Sequence, residues 1–144
     1  MGNNTSVPQV RAKDIKRVCE GKHGWLSKAG LTHTKLQKRW CAIHDLRLYY
    51  YETPRDDEPK GVVNLKGAIV TLSKRVKMAI EIETGSLITE KGVDKRTYVF
   101  TPVTGDAQHG DEELKREQRR KDKIELDRWY IWLQEESAKT FTPN

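Results

Sequence analysis

Cysteine is scarce: Cys19 and Cys41 are the only two among 144 residues. Neither falls in a C-x-x-C or Cys/His ligand spacing, which argues against a zinc site and a disulfide framework and leaves two reduced thiols. His23, His33 and His44 share no face and no ligand spacing, so no metal is expected. Long apolar runs are missing as well. No stretch approaches bilayer length and the N-terminus has no apolar segment of the secretory kind, from which a soluble, cytoplasmic protein is expected. The common catalytic signatures are absent too: there is no G-x-S-x-G, no H-E-x-x-H and no phosphate-binding P-loop. His44 and Asp45 are neighbours in a turn, which does not make a dyad. The expectation is a non-enzymatic protein with no cofactor. Hydrophobic residues make up 35% of the chain, enough for one domain with one modest core.

What the chain has in quantity is charge. The formal net charge is +6, and it is placed unevenly: from Arg11 to Arg39 nine basic residues stand against two acidic ones. A patch of this sign draws phosphates, on nucleic acid or on the cytoplasmic leaflet, where each nearby cation adds about 1 kcal/mol. An ordinary solvated face is the plain alternative. The chain begins Met1-Gly2-Asn3-Asn4-Thr5-Ser6, which fits N-myristoylation at Gly2, although a plain tail reads the same way. A single acyl chain holds a membrane only marginally and needs a second signal. Val10, Ile15, Val18 and Cys19 fall near helical spacing, with Arg11, Lys13, Lys16 and Arg17 between them. Residues 1–21 are therefore read as a tail with a short basic amphipathic helix, packed against the domain or laid on lipid.

From His23 onward the pattern is that of strands. His23 to Gly30 and Lys38 to His44 flank a loop that holds Thr32, His33, Thr34 and Lys35, with cations at both ends, so the loop has the makings of an anion cup. A tight turn at Asp45-Leu46 returns the chain through Arg47 to Glu52, with Leu48 and Tyr50 on one face and Tyr49 and Tyr51 on the other. One of those faces is expected to meet solvent or ligand. Further strands follow at Val62 to Leu65, Gly67 to Ser73, Met78 to Thr84 and Arg96 to Thr101. Met78, Ile80 and Ile82 alternate with Ala79, Glu81 and Glu83, as in a sheet with one buried face. About seven short strands, mostly joined by hairpins and followed by a helix, give a mainly β fold: an orthogonal antiparallel sandwich or small barrel capped by a C-terminal α-helix.

That helix is marked by Leu126, Trp129, Trp132 and Leu133, an apolar stripe with Trp129 as its central plug, and Asp122 and Glu125 are read as capping its start. Asp111 to Lys123 is nearly all charged. Glu112 with Arg116, and Glu117 with Lys121, have the i,i+4 spacing that supports an exposed helix, so residues 103–122 are a charged insertion that either extends the helix or stays unstructured. A protein partner on this charged helix is one reading of it; a solvated linker is the other.

Several of these pieces together resemble a known family. Gly24-Trp25-Leu26-x-Lys28-x-Gly30, Lys38-Arg39-Trp40 before an apolar strand, Leu48-Tyr49-Tyr50-Tyr51, Pro59-Lys60-Gly61 and Arg96-Thr97-Tyr98-Val99-Phe100 before a helix with Trp129 and Leu133 look like a pleckstrin homology (PH) domain over residues 22–138, with 139–144 as a tail. The run from last strand to helix is longer than the family's usual one. In members that bind 3-phosphorylated inositides, a Lys ending the first strand and a Lys/Arg-x-Arg pair in the second grip the headgroup. Lys28 matches the first and Arg39 the last of these, whereas Gln37 stands where the stronger binders carry a cation. A glutamine still donates to phosphate, at roughly half the strength of a charged donor. In the cytohesin-like subgroup, Tyr50 matches a phosphate-contacting tyrosine and Lys60 a loop cation.

The resemblance thus implies a phosphoinositide site at Lys28, Gln37, Arg39, Tyr50 and Lys60, with Thr34, Lys35 and Lys38 as secondary members. Chemistry agrees without it: Arg39 offers a bidentate fork, Lys28 and Lys60 mobile point charges, and Tyr50 a phenolic donor. Three functions follow from these residues: specific headgroup binding with peripheral recruitment to the membrane, weak electrostatic membrane binding, or a protein-interaction scaffold. A nucleic-acid binder, with Arg39-Trp40 and Arg47 to Tyr51 stacking bases, is the rival of another class, and it fares worse because the cations gather at one barrel mouth instead of along a track. The chain is expected to act as a monomer.

Overall fold

The computed structural model describes residues 10–29, 35–84, 87–89, 92–94, 96–103 and 112–139, the segments 87–89 and 92–94 by their backbone alone. Gly2, His33, Thr34 and the centre of the proposed cup lie outside the described residues. Along the chain come α1 (Ala12–Val18), β1 (His23–Ala29), β2 (Leu36–His44), β3 (Arg47–Tyr51), β4 (Gly61–Asn64), β5 (Ile69–Leu72), β6 (Ile80–Glu83), β7 (Leu87–Thr89), β8 (Gly92–Asp94), β9 (Thr97–Pro102) and α2 (Glu112–Ala138).

Seven strands form one antiparallel sheet in the order β4-β3-β2-β1-β9-β6-β5, and β7 pairs with β8 in a separate two-stranded sheet. The edge strands β4 and β5 do not pair with each other, so the large sheet wraps a core without closing. Period-two alternation decides what it wraps. Leu26, Ile43, Leu48, Val63, Ile82 and Phe100 point inward, and α2 adds Leu126, Trp129 and Leu133 from one end of the sheet. Trp129 is fully buried, the plug its spacing predicts.

The β2–β3 connection is a two-residue turn in which Asp45 and Leu46 both have positive φ, 53° and 62°. Mirror-image turns of this kind match the twist of a hairpin, but they strain residues other than glycine and asparagine. The strain is met from far away in sequence: Glu136 Oε2, on the last turn of α2, accepts the Leu46 N–H at 3.0 Å.

Three expectations change. Tyr49 and Tyr51 are buried on the face opposite Leu48, because α1 covers that face with Ala12, Ile15 and Cys19 and leaves Val18 outside. Neither face of β3 is bare, since two layers pack on it where one was expected. Met78 is not in a strand: it has φ of 56°, and β6 begins at Ile80. Asp122 does not cap α2, which already runs from Glu112; it lies mid-helix, buried, and accepts a 2.9 Å hydrogen bond from Gln118. The seven strands of the large sheet are those expected, and among the described residues β7 and β8 add a small pair that was not foreseen.

Candidate functional site

The inward face of the sheet changes character along its length. Toward α2 it is apolar; toward the opposite end the same alternation presents Lys28 after Leu26 on β1, Arg39 and Gln37 before Cys41 on β2, and Tyr50 after Leu48 on β3. Strand register then sets the neighbours. Lys28 pairs with Gln37, Cys41 with Tyr50, and Tyr50 with Gly61 on β4. These side chains line the mouth of the sandwich.

Tyr50 sits at the centre of this mouth. Its ring meets Phe100 edge-on at 6.1 Å between centroids, and Lys28 Nζ lies 5.7 Å from the ring centroid. A Cβ on Gly61 would overlap the Tyr50 phenol, so the absence of a side chain there lets the ring lie across β4. Burial pushes the phenol's pKa up and the neighbouring Tyr98 adds to this, while Arg39 and Arg96 pull the other way. The hydroxyl therefore stays protonated near neutrality, ready to donate a hydrogen bond.

Arg39 lies flat against the mouth: its Nη1 donates to the Lys38 carbonyl at 2.9 Å, and its Nε is buried with no acceptor among the described residues. Such a donor is costly to leave unpaired and is a natural contact for an incoming oxygen anion. Lys60 joins from the loop before β4. Its N–H donates to the Tyr50 carbonyl at 2.7 Å, and its exposed ammonium stands 4.0 Å from Glu52. At this distance, with both groups largely in water, the pair is weak and the lysine is available.

The other secondary members separate. Lys35 is exposed just ahead of β2. Lys38 is turned to the opposite face by strand alternation, where its Nζ lies 4.8 Å from the Trp25 ring centroid. Arg96 was missed by the sequence reading, yet it acts on Tyr50 electrostatically from the start of β9. Its backbone is clamped by Thr84, whose N–H donates to the Arg96 carbonyl at 2.8 Å. The signal was present, because Arg96 shares the parity of Tyr98 and Phe100 on the inward face.

The sequence profile described as "PH domain" matches residues 20–130. The chain belongs to the PH domain family. Among curated relatives, Src kinase-associated phosphoprotein 2 of Takifugu rubripes is 32% identical over 98 residues, covering 65% of this chain and 29% of that protein. The human Src kinase-associated phosphoprotein 2 is 30% identical over 118 residues, covering 78% of this chain and 32% of that protein. The chain thus spans about a third of the length of these relatives. Among solved structures, the PH domain of human KIAA0053 protein superposes with a TM-score of 0.56 at 19% identity, covering 96% of this chain and 95% of that one. The C-terminal PH domain of pleckstrin, solved with an inositol pentakisphosphate, gives a TM-score of 0.53 at 21% identity over 81% of this chain and 94% of that one. At these identities the likeness speaks for the PH fold. The two edge strands that do not pair with each other and the helix over one end agree with it.

Proposed function

We propose that this PH domain binds phosphoinositide headgroups at the mouth formed by Lys28, Gln37, Arg39, Tyr50 and Lys60, and that it recruits a signalling or adaptor protein to the membrane surface without catalysing a reaction. The observation that carries this reading is the convergence of Lys28, Arg39 and Tyr50 on one inward face, with the buried Arg39 Nε directed at no acceptor among the described residues. Several charge-assisted hydrogen bonds of about 1.5–3 kcal/mol each suffice for micromolar recognition. Lys35 is a secondary contact, and Thr34 belongs to the same proposal. Lys38, on the other face, contributes only long-range attraction. The cytohesin-like character of Tyr50 and Lys60 belongs to the proposal too, as does a preference for 3-phosphorylated headgroups.

Peripheral attachment is the mode proposed, since no helix among the described residues is long and apolar enough to cross a membrane. Acylation at Gly2 would serve as the second anchor that a single lipid contact requires. Supporting that role, Tyr51 Oη donates to the Val10 carbonyl at 2.7 Å and Ala12 N–H donates to the Asp56 carbonyl at 2.9 Å. Those bonds hold the start of α1 beside the β3–β4 loop, on the same side as the mouth.

Co-sedimentation tests the headgroup site, using liposomes of phosphatidylserine alone, with a bisphosphorylated inositide, or with the 3-phosphorylated trisphosphate, at low and physiological salt. The expected result is a gain from inositide that survives physiological salt and that Lys28→Ala or Arg39→Ala removes. Equal binding to all acidic liposomes, abolished by salt, would reduce the mouth to an electrostatic anchor. No binding at all would leave a protein-interaction scaffold.

A further inference from the structure

At the opposite pole from the mouth, the outer face of α2 carries two apolar side chains that none of the described residues covers. Ile124 and Ile131 are each 53% exposed and stand two turns apart on one side of the helix, directly away from Leu126, Trp129 and Leu133. Around them lie Arg120, Asp127, Arg128 and Glu135, a face of mixed sign.

We infer that this face pairs with its counterpart on a second copy of the chain, the two α2 helices running antiparallel about a two-fold axis between Asp127 and Arg128. Charge complementarity selects both the partner and the register. Setting Ile124 opposite Ile131 of the second copy places Arg120 opposite Glu135 and Asp127 opposite Arg128, each contact made twice by symmetry. A parallel pairing would oppose Arg120 to Arg120 and Glu135 to Glu135. An antiparallel pairing centred on Ile124 would oppose Arg120 to Arg128, and one centred on Ile131 would oppose Asp127 to Glu135. Only the first register joins all four isoleucines with Arg120, Asp127, Arg128 and Glu135 each set opposite an unlike charge.

In the single chain these charges are satisfied locally: Arg120 by Glu117 at 2.8 Å, Asp127 by Lys123 at 3.1 Å, and Arg128 by Glu125 at 2.8 Å. Those pairs are exposed and worth little, so sharing or exchanging them across the two-fold costs little. An acidic membrane would meet Asp127 and Glu135 on this face, which makes lipid the poorer occupant. With two isoleucines a side, the contact is small and the dimer weak, assembling where the chain is concentrated. This inference does not rest on the headgroup site and replaces the expectation of a monomer.

Sedimentation velocity of the full chain from about 1 µM to about 1 mM, the range in which small interfaces associate, tests it. The expected result is concentration-dependent dimerisation that Ile131→Asp weakens by about tenfold or more, with the melting temperature unchanged because Ile131 is exposed. Arg120→Glu alone and Glu135→Arg alone should each weaken the dimer, and the double variant should restore it. A monomer throughout the range would overturn the inference. So would a dimer indifferent to all three single substitutions, or one that the double substitution fails to rescue. Binding of phosphatidylserine vesicles that Ile131→Asp abolishes, without dimerisation, would assign the face to lipid and overturn it as well.

Discussion

Glu136 serves two partners from one buried position. Burial alone would raise its pKa, but the Leu46 N–H and the Lys139 ammonium, whose Nζ lies 3.2 Å from Oε1, outweigh that and hold the carboxyl below the ordinary range. It stays ionised and fixes a turn whose φ angles neither Asp45 nor Leu46 favours. Glu136→Ala should therefore cost about 1–3 kcal/mol, the usual result of leaving a buried donor without its acceptor. Urea denaturation followed by tryptophan fluorescence measures it, and a loss well under 1 kcal/mol would mean that water replaces the carboxylate. Gly61 illustrates the same dependence with opposite chemistry: its role lies in the side chain it does not have, which leaves room for Tyr50.

α1 shows how a short segment can be structural although its charges suggest a surface role. Ala12 and Ile15 are buried against Trp40, Tyr49 and Tyr51, while Arg11 and Arg17 pair with Asp14 at 3.0 and 2.9 Å on the outside. Seven residues cannot hold a helix alone, so packing must. Ile15→Ala is expected to cost about 2–4 kcal/mol and to release hydrogen-exchange protection across Ala12–Val18 before the rest of the domain. Protection that persists would show that the Tyr51–Val10 and Ala12–Asp56 hydrogen bonds suffice. Strand identity and the Trp129 plug were legible because alternation and three- or four-residue spacing are written in the residue types. The inward convergence of Lys28, Arg39 and Tyr50 was legible only once a register had been assumed. What was hidden depended on contacts distant in sequence. The covering of Tyr49 by α1 and the anchoring of a turn by Glu136 have no local signal. Lys38 and Arg39 look equivalent in the chain, and only the pleat separates them.

For the molecule as a whole, titration gives a stability plateau with two edges. On the acid side, arginine and serine donors hold Glu81 low, the Thr53 hydroxyl and backbone hold Asp56 low, and Glu136 follows as above. His23 is also lowered, by burial and then by Lys16. Groups lowered on folding bind protons more readily when unfolded, so their contribution is complete above the unfolded pKa and is lost as pH falls. On the alkaline side, burial pushes the Cys41 thiol and the Tyr51 phenol up, so the unfolded chain gives up those protons first. Thermal melts across pH should then be nearly flat from about 7 to about 8.5, decline gently below about 6.5, and fall steeply below about 4.5 and above about 9. A maximum at acid pH would contradict the assignment of these groups.

The bond from Leu46 N–H to Glu136 also orders events in time. It spans 90 residues, so during synthesis the β2–β3 hairpin is made long before the carboxylate that relieves it. Until the end of α2 leaves the ribosome, that turn is a loaded corner with no partner, and the hydrophobic inner face beside it has no lid. Emergence of α2 is then a folding event in itself, and the domain is expected to lock from that helix backwards rather than strand by strand as it emerges.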